Sequence, residues 1–141
     1  YLTLLALTTQ PDDWAGGVAI SPPTDLTAMY RSDDAHYRAW CTHFLGGPPE
    51  EKRELYRDRS PINHLERLMA RLLILAGEND PIVTLQPVKE FAEEAKKRGL
   101  PVDLVVERDE GHGSLRNVNA IRDTVLMLER LKSFYESQIG R

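Results

Sequence analysis

Two changes of hydrophobic period in the second half of the chain constrain its fold more than anything else. Leu72-Leu73-Ile74-Leu75-Ala76 is an apolar run without alternation, closed by the turn residues Gly77-Glu78-Asn79-Asp80-Pro81. Such a run fits a strand buried on both faces. The period then becomes helical: Val88, Phe91, Ala92 and Ala95 fall on one stripe, and Gly99 stands where a helix ends in a left-handed residue. Val102 to Glu107 reads as the next strand, and Asp109-Glu110-Gly111-His112-Gly113 as a loop. Val118, Ile121, Val125, Leu128 and Leu131 mark a long final helix. Strands separated by helices imply a parallel sheet with right-handed crossovers.

The first half supplies one more strand. Tyr1 to Thr9 reads as a buried helix ended by Pro11-Asp12-Asp13, and Ala15 to Ser21 as a short buried strand closed by Pro22-Pro23. Residues 24–60 are richer in charge and aromatic rings, with a break at Gly46-Gly47-Pro48-Pro49. Helices are expected there from Asp33 to Phe44 and from about Pro49 to Arg57. The expected fold is therefore α/β, with three parallel strands at about 15–21, 71–76 and 102–107 flanked by helices, and a helical excursion at 24–60. The chain has no internal repeat and no low-complexity segment.

A length of 141 residues predicts one domain or part of a larger one. With 41% hydrophobic and 28% charged residues, a disordered tail, a fibre and a disulfide scaffold are excluded. Acids outnumber Lys plus Arg by 22 to 18 and the signs are interspersed, so no nucleic-acid partner is expected. Cys41 is the only cysteine, which precludes an internal disulfide and leaves the redox compartment open. The best apolar run, Leu68 to Ala76, is broken by Arg71 and is far short of the roughly 18 residues of a membrane helix. No membrane association is expected, no leader with a basic start is visible, and a cytoplasmic setting is favoured. His36 and His43 lie two turns apart on one expected helix, but no H-E-x-x-H and no Cys/His cluster accompanies them, so neither metal nor cofactor is expected. Gly16-Gly17 precedes a strand rather than opening a helix and is no phosphate loop. His64 reads as a helix-end or surface group, and Lys96-Lys97-Arg98 as the positive end of a helix.

In open α/β sheets, functional groups gather beyond the carboxyl ends of strands. Asp80 follows one strand and His112 the next, so adjacent parallel strands bring both to one edge. A carboxylate beside an imidazole fixes the ring tautomer and stabilises the imidazolium during proton transfer. Taken singly, an Asp before Pro81 and a His between glycines are ordinary turn residues. As a spaced pair on consecutive strand ends they fit catalysis better. They match the later part of the order Ser, Asp, His found in α/β-hydrolases, but no G-x-S-x-G turn exists in the chain. Ser21, Ser60 and Ser114 read as cap or turn residues, and Cys41 as helix packing.

Taken in order, four longer segments, Tyr1 to Leu26, Arg59 to Ile62, Leu73 to Asp80 and Asp109 to Gly113, resemble the prolyl oligopeptidase family of serine peptidases. YLTLLALTTQPDDWAGGVAISPPTDL is similar to the stretch after that family's nucleophile elbow, a Gly-x-Ser-Tyr-Gly-Gly turn. Arg59-Ser60-Pro61-Ile62 resembles its R-S-P-I segment. Leu73 to Asp80 resembles the L-L-I-x-H-G-x-x-D segment that holds the triad aspartate, and Asp109 to Gly113 the E-G-H-G loop that holds the histidine. The ordered set spans nearly the whole chain. Departures are Ala76 where His is frequent, Ile82 where Arg is common, and Ser114 in place of an aromatic; these bear on pocket details rather than on the triad positions.

The resemblance implies the C-terminal half of an α/β-hydrolase catalytic domain spanning 1–141, with Asp80 as orienting carboxylate and His112 as general base and acid. It implies a serine upstream of Tyr1, together with half of the oxyanion hole, so the chain alone is expected to be inactive. The start at Tyr1, within an apolar pattern and without Met, also leads us to expect upstream residues. The implied substrate is a peptide or an ester, with Tyr30, Tyr37, Trp40 and Phe44 of the excursion either lining the pocket or simply packing on the sheet. A carboxylic-ester hydrolase of the same fold and a non-catalytic interaction module are the rival readings. The strand at Ala15–Ser21 would be an unpaired edge open to self-association.

Overall fold

The structure, a computed structural model, describes residues 1–32, 35–114 and 116–139. In chain order the elements are α1 (Leu2–Thr9), β1 (Gly16–Ile20), α2 (Leu26–Tyr30), α3 (Ala35–Leu45), α4 (Arg53–Asp58), β2 (Arg71–Gly77), α5 (Leu85–Lys97), β3 (Val102–Glu107) and α6 (Asn117–Ile139), with 3₁₀ segments at Pro11–Asp13 and Pro61–Arg67. The three strands form one parallel sheet in the order β1-β2-β3, with Val18 beside Leu73 and Leu73 beside Asp103. The expected strands and fold class are present.

One helix start differs from expectation by several residues, and the expected start of another falls outside the described residues. Asp33 and Asp34 lie outside the described residues, so α3 is described from Ala35. The helix expected from Pro49 begins at Arg53, because the Pro48 carbonyl accepts from both Glu51 N and Lys52 N and closes a turn first.

Strand pleating divides the sheet into two faces. Leu72, Ile74 and Ala76 of β2, with Ala19 of β1, pack against Leu4 and Leu7 of α1 and Val88, Phe91 and Ala95 of α5. All of these are buried, and each fully buried Leu, Ile or Phe contributes about 1.5–3 kcal/mol through removal from water. The other face carries α6, whose Phe134 ring lies over Gly16, where a β-carbon would come within 2.3 Å of it. Asp103 of β3 pairs with Arg130 of α6 at 3.4 Å. Cover on this side is thin: Ile20 is 55% exposed. The apolar stripe Val118, Ile121, Val125, Leu128 and Leu131, which marks the helix in the sequence, is exposed.

The excursion at 24–60 has its own small core of Leu26, Cys41 and Tyr56, packed by Tyr1, Tyr30, Tyr37 and Leu45. It is tied back to the sheet layer by directed bonds. Tyr1 OH donates to the Arg59 carbonyl at 2.7 Å, Ile62 N to the Thr24 carbonyl at 3.0 Å, and Thr24 Oγ1 to the Pro87 carbonyl at 2.9 Å.

Candidate active site

The loops after β2 and β3 are stitched together by backbone bonds before any side chain is considered. Glu78 N donates to the Glu107 carbonyl and Asn79 N to the Glu110 carbonyl, both at 2.9 Å. Their approach explains Gly77: a β-carbon there would sit 2.1 Å from the Gly111 carbonyl oxygen, so no larger residue fits without moving the loop. Gly113 has φ +94°, a conformation that only glycine adopts readily, and this lets the loop turn immediately after His112.

Asp80 is held from its own side. Its Oδ1 accepts from Ile82 N at 2.8 Å and Val83 N at 2.9 Å, a turn in which Asp closes its own following backbone. Its Oδ2 lies 2.9 Å from His112 Nδ1. The Asp80 side chain is 1% exposed and that of His112 is 44% exposed, so the acid is sealed and the ring reaches solvent. Burial pushes the Asp80 carboxyl up, but the bonds from Val83 N–H, His112 and Ile82 N–H, together with the nearby Ser21 hydroxyl, outweigh it and hold the group below its usual 3.8. An ionised carboxylate only accepts, so His112 donates through Nδ1–H, and in the neutral ring that tautomer leaves the lone pair on Nε2. That arrangement is suited to taking a proton from a hydroxyl and returning it to a leaving group.

The His112 loop is further gripped from α6. Glu107, at its start, pairs with Arg122, and Ser114, just past the imidazole, donates to Asp123. Ser114 is thus neither a cap nor a free turn residue. Ser60 is also more than a turn residue: fully buried, it accepts from Leu26 N at 2.9 Å and donates to the Tyr56 carbonyl at 2.7 Å, bridging three segments. Ser21 follows β1 with φ +43° and is buried. Its hydroxyl is close enough to Asp80 to lower that carboxyl, yet it forms no hydrogen bond of ordinary geometry among the described residues. Ser21 is the site neighbour that sequence reading missed, since nothing local distinguishes it from a turn serine before Pro22.

The remaining candidates are placed elsewhere. Cys41 is fully buried, and burial pushes its thiol up to about 11, as packing requires and nucleophilic use does not. His36 and His43 are exposed on α3, and His64 Nε2 bonds the Asp58 carbonyl at 2.8 Å. Among the described residues no group of three or more His, Cys, Asp and Glu is placed to hold a metal ion, and no helix is long and apolar enough to cross a membrane. Of the excursion's aromatics, Tyr30 packs edge-on against Tyr56, with ring centroids 6.0 Å apart, and Tyr37, Trp40 and Phe44 form a tilted ladder along α3. Trp40 and Phe44 remain exposed.

A parallel sheet flanked by helices, with an acid and an imidazole joined beyond the ends of adjacent strands, fits the α/β-hydrolase fold. The chain belongs to the prolyl oligopeptidase family, whose model matches residues 1–140. It is 30% identical over 126 residues to Dipeptidyl peptidase family member 6 of Caenorhabditis elegans, a match that covers 86% of this chain and 17% of that protein. It is 29% identical over 123 residues to Dipeptidyl aminopeptidase BIII of Pseudoxanthomonas mexicana, covering 84% of this chain and 18% of the relative. Among solved structures it is similar to a Mycobacterium tuberculosis puromycin-hydrolyzing peptidase, with a TM-score of 0.79 and 26% identity over 86% of this chain and 18% of that one. The chain thus spans under a fifth of the length of these relatives.

Proposed function

We propose that this chain carries the acid–base half of a serine peptidase site, with Asp80 as the orienting carboxylate and His112 as the general base and acid. The observation that supports this most is the 2.9 Å contact between them beyond the ends of adjacent strands, in a chain of this family. The reaction is acyl transfer. The serine Oγ bonds to the substrate carbonyl carbon as its proton passes to His112 Nε2. The tetrahedral adduct collapses, the bond to the leaving amine breaks, and His112 returns the proton to that amine. Water then repeats the sequence and releases the acid and the serine. Asp80 holds Nδ1–H and stabilises the imidazolium at each stage. The relatives' names, which specify peptidases, favour a peptide substrate over a simple ester.

In this reading the serine lies upstream of Tyr1, and the 141-residue chain is inactive by this route. A fluorophosphonate probe tests it. No labelling of the chain alone is expected, and strong labelling of the chain alone would overturn the reading. In a longer protein that includes the elbow, prolyl-aminomethylcoumarin peptides should be cleaved in preference to p-nitrophenyl esters, and Asp80→Asn should lower kcat by roughly 10³–10⁴-fold. We also infer that the chain alone self-associates through β1, whose only sheet neighbour among the described residues is β2. A monomer at high concentration in sedimentation would refute this.

A further inference from the structure

We propose that Glu110 is a positioning residue for His112, acting through the loop that carries the imidazole and bracing it against α6. This inference rests on the reading of His112 as the acid–base group.

Glu110 is 1% exposed, among the largest fully buried side chains of the chain. A carboxylate taken fully out of water is unfavourable by several kcal/mol unless its oxygens are bonded. Here the bonds go to two different elements. The Glu110 carbonyl accepts from Asn79 N at 2.9 Å, one residue before Asp80. Its Oε1 accepts from Arg116 N at 3.3 Å and from Asn119 Nδ2, where α6 begins. A single residue, two positions before His112, thus joins the Asp80 turn, the His112 loop and the final helix.

The chemistry of the helix end suits this role. The first backbone N–H groups of a helix have no partner within it, and the helix dipole favours a negative charge there. In a capping box an acid from the helix's own first turn reaches back to the entering N–H. In this chain the acid comes from the preceding loop instead, so filling the helix end also fixes the loop. The Glu107–Arg122 and Ser114–Asp123 contacts hold the flanks of the same loop, and all of these α6 donors and acceptors, Asn119, Arg122 and Asp123, are on its first turns. With the Glu110 side chain removed, the imidazole would keep Asp80 as its partner but lose the brace that sets its distance from an incoming hydroxyl. A displacement of about 1 Å at a reacting group lowers rate by about 10²-fold.

The experiment uses the intact protein with its serine elbow. It measures kcat and KM per serine titrated with fluorophosphonate, and the His112 Nδ1–H proton by NMR. Glu110→Ala is expected to lower kcat per titrated site by about tenfold to hundredfold with KM within about twofold. The Nδ1–H resonance should shift or vanish. Glu110→Gln, which keeps an acceptor toward Asn119 and Arg116 N, should recover most of both. Asn119→Ala leaves Glu110 in place and should give a smaller loss, about threefold to tenfold, in the same direction. It is the deciding variant if Glu110→Ala does not fold. The proposal is overturned if these variants change only the number of titratable sites, leaving kcat per site and the resonance as in the wild type. A resonance that depends on Glu110 in a protein that hydrolyses nothing would keep this inference and sink the peptidase reading. Asp80-dependent hydrolysis that is indifferent to Glu110 and Asn119 would do the reverse.

Discussion

Two long amphipathic helices flank the sheet on opposite faces and orient their apolar stripes in opposite ways. On α5, Val88, Phe91 and Ala95 are buried against β2 and its neighbours. On α6, Ile121 is 66% and Leu128 is 58% exposed, and the side turned inward offers Phe134 as its apolar anchor, with Asp123 and Arg130 as polar ones. The sequence signal for both helices is the same 3.6-residue period. Periodicity establishes that a helix has an apolar face; which surface that face meets is a tertiary matter. The first turns of α6 serve the His112 loop through polar contacts, whereas α5 serves the core.

This contrast can be tested in order of expected size. Phe91→Ala in α5 should destabilise the chain by about 3–5 kcal/mol in urea unfolding, through lost transfer energy and a cavity. Phe134→Ala in α6 should cost about 2–4 kcal/mol, since it removes the apolar anchor of that helix on β1. A near-zero value would mean that the polar contacts, with the half-buried Leu126 and Met127, suffice to hold α6. Acid is the next probe. Asp80 is held below its usual 3.8, so its ionised form contributes stability at neutral pH that is lost as pH falls from about 3.8 through the lower folded value. The stability gap between wild type and Asp80→Asn should therefore narrow in strong acid, as read by urea midpoints across the acid range. Leu128→Ala should be the smallest effect, within about 0.5 kcal/mol. A loss comparable to that of Phe91→Ala would show that the α6 stripe is covered in solution and would end the contrast.

Much of the fold was legible because it is written in local period and punctuation. The run Leu72–Ala76 and the stripe Val88 to Ala95 each sit where the pattern puts them, and Gly99 has the φ of +70° that ends a helix. The meeting of Asp80 with His112 followed from strand adjacency. What stayed hidden depends on residues distant in sequence. Ser60 looks like a residue before Pro61 until Leu26 N is found on its oxygen, 34 positions away. Ser21 and Glu110 become site neighbours only when three segments are superposed at one sheet edge. A buried acid in a charged loop carries no local mark of burial. An acid six positions ahead of Arg116, with Asn119 in the first helical turn, is a weak signal at best.

Gly77 shows how the main chain itself sets the spacing of the two loops. With the Glu110 and Gly111 carbonyl groups where its β-carbon would be, any side chain there would force the two loops to shift. The geometry of that pair is thus locked by the main chain, beyond the reach of gradual side-chain adjustment. The segment between β1 and β2 is held differently: it has its own small core and is attached to the sheet by a few directed side-chain and backbone bonds.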